Sequence, residues 1–190
     1  MNLQRDFKAM TMILLPAFAL LSISLFYDLR CREIPNFITI PAFLLSLALR
    51  LKDGDWALLF LFLLFLIVGS LPRPSSLFPL VFLGGGIASS FSPQVAPIWT
   101  AAFSAWLLGF MGAADSKIII TLSNLFPDIL LAPFIFSGYF LYGFFLLCRK
   151  YRKRAIAVAL NPTLGERTEA PALPGIFLGF SLYIAWRFLL

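Results

Sequence analysis

The 190-residue chain has no histidine, two cysteines and only nine acidic residues. Without histidine there is no Ser-His or Cys-His nucleophile system, no histidine-bearing zinc site and no histidine-ligated haem. Cys31 and Cys148 stand far apart and form no CxxC pattern, so they read as two unpaired thiols. Charge is scarce: 13% of residues are charged, against about a quarter in soluble domains. What fills the chain instead is apolar, 61% of residues with 22 phenylalanines among them. That composition predicts an integral membrane protein of several spans, with the aromatic bulk facing lipid. The net charge of +6 does not point to nucleic acid, because the basic residues cluster beside apolar segments, as orientation signals do.

A membrane helix needs roughly 17 to 25 mostly apolar residues. Successive runs lie at about Ala9–Tyr27, Pro35–Leu49, Trp56–Leu71, Leu77–Phe91, Ile98–Met111, Ile118–Phe126, Ile129–Leu147 and Pro171–Leu190. Pro72-Arg73-Pro74 and Pro93 to Pro97 punctuate the series, since proline cannot continue a helix interior without losing a hydrogen bond. The expectation is an all-α, polytopic transmembrane bundle of about eight spans, residues 1–190 forming one membrane domain. Residues 71–97 read as an inserted helical region: two crossings, a re-entrant hairpin or a kinked span. Residues 149–170 read as a basic cytosolic loop. The first apolar run is long and lacks a small-x-small cleavage site, so it reads as a retained span.

The basic residues set the orientation. With the loop after the first span in the cytosol, Arg30, Arg32, Arg73, Lys117, Arg149, Lys150, Arg152, Lys153, Arg154 and Arg167 fall inside, and Arg5, Lys8, Arg50, Lys52 and Arg187 outside. The excess inside follows the positive-inside rule. The Arg149–Arg154 cluster gives the strongest vote and suits anionic lipid.

Two acids then stand out. Asp28 and Asp115 each follow a long apolar run, and the orientation puts both on the cytosolic face. A carboxylate at the edge of hydrocarbon is costly, which makes it a functional candidate. Asp28 also fits a helix cap or an ion pair with Arg30. The other acids have ordinary readings: Asp53 and Asp55 sit in a polar turn, Asp128 follows a proline at a helix boundary, and Glu33, Glu166 and Glu169 are solvated.

The segment Asp28-Leu-Arg-Cys-Arg-Glu-Ile-Pro-Asn36 resembles the first catalytic motif of the type IV prepilin peptidases. Gly112-Ala-Ala-Asp-Ser-Lys117 resembles the second, GxGDxK, of these GxGD-type intramembrane aspartyl peptidases. The stretch Pro171-Ala-Leu-Pro-Gly-Ile-Phe-Leu-Gly179 is loosely similar to the family's last helix, so the likeness extends from about Leu21 to the C-terminus. The chain departs from the pattern at Ala114, where glycine is expected. There a methyl group would crowd the turn or narrow the site. The separation of the two aspartates exceeds that of compact members, and residues 71–97 account for the surplus. A long insert with paired cysteines is missing, so the likeness is to the short form without a methyltransferase domain.

The resemblance implies a membrane aspartyl endopeptidase that removes the leader of prepilin-like precursors at the cytosolic border of the inner membrane. Asp28 and Asp115 would be catalytic. Pro35, Asn36, Gly112, Ala114 and Lys117 would shape the site or touch substrate. Two carboxyls brought close do not ionise together, so one stays protonated near neutral pH while the other takes a proton from water. No metal or cofactor is implied. The implied partners are a prepilin or pseudopilin precursor and membrane lipids. Lys117 would either bias the site electrostatically or, the favoured reading, snorkel toward lipid phosphate or cytosolic solvent. Two rival readings stay open: a proton- or cation-coupled transporter, which broken helices and Gly84-Gly85-Gly86 would suit, and a non-catalytic pilin-assembly factor, which Ala114 would suit.

Overall fold

The computed structural model describes residues 3–31, 33–71, 74–151 and 173–189, and the described chain is all-α. The elements are α1 (Leu3–Cys31), α2 (Asn36–Lys52), α3 (Ala57–Gly69), a 3-10 turn (Pro74–Leu77), α4 (Phe78–Phe91), α5 (Ala96–Leu107), α6 (Ala113–Leu125), α7 (Leu131–Tyr151) and α8 (Leu173–Leu189). Each apolar run of the sequence thus corresponds to one helix.

Glycine and proline set the helix boundaries. Pro35, with φ −61°, caps α2, and its carbonyl accepts the Ile38 and Thr39 N–H groups at 3.0 and 3.4 Å. At the other end of α2, Gly54 adopts φ +95°, where a side chain is strained. Its N–H bonds Leu51 O, and the Asp55 N–H bonds Arg50 O, which is a Schellman ending. Gly109, with φ +75°, ends α5 the same way through Trp106 O and Ala105 O. This stop is why the fifth run leaves the helix well before Met111.

Length separates the helices. Met12–Cys31 and Leu131–Lys150 are long and apolar enough to cross a membrane. Helices α3 to α6 hold 12 to 14 residues each, which at 1.5 Å per residue is about 20 Å. Large apolar side chains nevertheless remain exposed on most helices, Phe37, Phe82, Phe91, Phe140 and Phe145 among them.

The chain divides into two compact units. The first comprises α1 up to Ser24 with α2 to α6, and its innermost helix is α6, nine of whose thirteen residues are buried. Helix α2 runs parallel to α6, and α5 runs antiparallel to it. Asn124 of α6 ties these helices together: the Trp99 indole N–H donates to its Oδ1 at 2.9 Å, and its Nδ2 donates to Ser46 Oγ at 3.0 Å. Around them lies an aromatic core in which Phe65 stacks on Phe103 at 3.9 Å between centroids, with Phe43 and Trp99 adjoining. The segment between Leu71 and Pro97 contains the 3-10 turn and α4, which packs on α3 and α5. Its glycines make that packing possible. A Cβ at Gly84 or Gly85 would collide with Leu64 or Thr100, whereas Gly86 faces open space.

The second unit comprises Leu25–Glu33 with α7 and α8. Helices α7 and α8 touch backbone to backbone through Gly138, Gly175 and Gly179. This small-residue spacing allows close approach without a hydrophobic drive. Phe134, Tyr183 and Trp186 extend the contact. Arg149 and Lys150 lie in the last turn of α7, and the rest of the expected basic loop, residues 152–170, lies outside the described residues.

Candidate functional site

Six of the seven residues singled out by the sequence belong to the first unit, and they gather at the N-terminal ends of α2 and α6. Gly112 is the N-cap of α6, in extended conformation at φ −72°. Asp115 is the third helical residue, and its Oδ2 accepts the Gly112 N–H at 3.2 Å. An anion in the first turn is favoured by the helix dipole and satisfies an orphan donor. The carboxylate is buried, at 8% exposure for the residue. A Cβ on Gly112 would lie 3.0 Å from Asp115 Oδ2, so glycine is there for closeness rather than for backbone conformation.

Ala114 is the second residue of α6 and half-buried. The backbone at that point is helical, a conformation alanine favours over glycine. The departure from GxGDxK therefore carries no backbone penalty. Ser116, also buried, secures the turn to α5: its hydroxyl donates to Ala102 O at 3.0 Å and lies 3.2 Å from Gly112 O. Lys117 does not extend away from the protein. It is half-buried, and its Nζ donates to Asn36 Oδ1 at 2.8 Å, joining residues 81 positions apart. The Pro-Asn of the first motif and the second motif are thereby in direct contact.

Asp28, the seventh residue, belongs to the second unit. It lies in the last turn of α1, 6% exposed, and its Oδ2 accepts the Leu173 N–H at 3.0 Å. Leu173 begins α8, so Asp28 serves the N-terminus of a helix far along the chain. Arg30 lies over the Phe26 ring, 5.7 Å from its centroid. Both aspartates thus accept a backbone N–H at a helix start. Asp53 and Asp55 bond Arg50 within their turn, as their local setting implies.

Sequence reasoning passed over Ser116, Asn124 and the Leu173 N–H. The polar residues Thr121, Ser123 and Asn124 inside an apolar run were the available signal for the Asn124 network. Leu173 offered none, since its contribution is a main-chain group.

Comparison with family models, with curated proteins and with solved structures returned no match.

Proposed function

We propose that this chain is a multi-pass membrane aspartyl endopeptidase that cleaves the leader of prepilin-like precursors, with Asp28 and Asp115 as a catalytic pair at the cytosolic face. The observation that carries the reading is the 2.8 Å bond between Lys117 and Asn36, which joins two separate peptidase-like motifs at one end of a helix pair. The two buried carboxylates at helix starts support it as well. In the proposed reaction one carboxylate takes a proton from water and the other donates to the scissile carbonyl, with no covalent intermediate.

The reading includes eight crossings of the cytoplasmic (inner) membrane. The exposed phenylalanines and leucines support a lipid surround, because apolar patches of this extent in water drive aggregation. The short α3 to α6 would be accommodated by bilayer thinning, by snorkelling of flanking residues or by oligomerisation.

The test is co-expression with a candidate prepilin, following precursor size by gel. Wild type should process the precursor, and Asp28→Asn and Asp115→Asn should not. Processing that survives both substitutions removes the dyad. No processing by wild type of a genuine partner pilin favours the transporter or assembly-factor reading.

A further inference from the structure

The first two turns of α6 are held by contacts on two different sides. Ser116 anchors them to α5 through Ala102 O, and Lys117 anchors them to α2 through Asn36. Asp115 immediately precedes both anchors. The α2 side of the clamp is firm: Asn36 is the first residue of its helix, next to the fixed backbone of Pro35.

Helix stability does not explain the lysine. A cation near a helix N-terminus opposes the dipole and so adds nothing to the helix. Half-burial of an ammonium against a neutral amide adds desolvation with no ion pair in return among the described residues. A shorter neutral residue would suit the helix better. Nor do residues two apart on a helix face one another, so Lys117 acts on Asp115 through the turn they share.

We infer that the Asn36–Lys117 hydrogen bond is a positioning device for the Asp115 carboxylate. It fixes the rotation and depth of the first turn of α6 against α2. The kinetic consequence rests on the peptidase reading, while the positional one does not.

The experiment uses the purified full chain in detergent, with a prepilin substrate, and compares Lys117→Met, Asn36→Ala, the double variant and Lys117→Arg. Each single removal should lower kcat about tenfold, the scale of a small misplacement of a catalytic group, with KM nearly unchanged. The double variant should be no worse than either single, because the residues act as one unit. Lys117→Arg should recover most of the rate. In parallel, hydrogen exchange at the amides of residues 113–117 should quicken in each single variant and no further in the double. Singles with unchanged kcat, or a double loss equal to the product of the single losses, overturn the inference. If wild type cleaves no prepilin, the peptidase reading falls, and the exchange experiment decides the positioning by itself: unchanged exchange in both singles overturns it.

Discussion

Asp28 Oδ2 accepts the Leu173 backbone N–H at 3.0 Å, joining the last turn of α1 to the first turn of α8 across 145 residues of sequence. The buried carboxylate therefore has a structural duty as well as the proposed catalytic one, and substitution separates the two. Asp28→Asn keeps an oxygen acceptor and should cost little stability, since Asn and Asp cap helices about equally. Asp28→Ala leaves the N–H unpaired and should cost about 1 kcal/mol. Thermal unfolding in detergent measures the difference. Both variants should lose cleavage. Equal stability of Asn and Ala variants would show that the bond contributes nothing to the fold.

Gly112→Ala should damage the site while sparing the helix. The new Cβ would lie 3.0 Å from Asp115 Oδ2, and the carboxylate must shift by a few tenths of an ångström. Extended backbone at φ −72° accepts alanine, so the loss of stability should stay within the about 1 kcal/mol that alanine costs as an N-cap. Processing of a prepilin should fall about tenfold, as small misplacements of reacting groups do. Unaltered processing would mean that the Gly112–Asp115 contact is not part of the chemistry.

Much of this was legible from residue type alone. Asp28 and Asp115 stood out because acids at the ends of apolar runs are costly. Pro35 marked the start of the second run because proline punctuates backbone locally, whereas the sixth run was placed at Ile118 although α6 begins at Ala113. The eight helices followed from the runs themselves. What stayed hidden depends on register between helices distant in sequence. The Leu173 partner of Asp28 is a main-chain group with no side-chain signature. Lys117 read as a snorkelling lysine because nothing local says that Asn36 lies 2.8 Å away. The shortness of α5 also escaped, since hydrophobicity continues to Met111 while Gly109 turns the backbone.

The α7–α8 seam predicts opposite effects at two glycines. A side chain at Gly179 would collide with the backbone of Phe134 and Ile135, so Gly179→Ala should destabilise by about 1–3 kcal/mol, as overpacking does. Gly143 on α7 has nothing within 4 Å of its would-be Cβ. There Gly143→Ala should stabilise by up to about 1 kcal/mol through helix propensity. Midpoints of thermal unfolding test both. Similar losses at the two sites would mean that the seam is not the close contact described.

Asn124 should matter more than its neutral side chain suggests. Its oxygen takes the Trp99 indole N–H at 2.9 Å, its nitrogen donates to Ser46 Oγ at 3.0 Å, and all three residues are buried. Asn124→Leu leaves the indole N–H without its acceptor, at a cost of about 1–3 kcal/mol for a buried unsatisfied group. Ser46 is less affected, because its hydroxyl still donates to Phe43 O at 2.8 Å. Trp99→Phe alone strands the Asn124 oxygen and opens space beside Phe43 and Phe65. In the double variant neither polar partner remains to be stranded, and removal of both members of a buried pair is milder than removal of one. The two substitutions should therefore be less than additive, with a coupling of about 1 kcal/mol. Unfolding of wild type, both singles and the double in one detergent closes the cycle. Strict additivity would show that the Trp99–Asn124 bond does not hold α5 against α6.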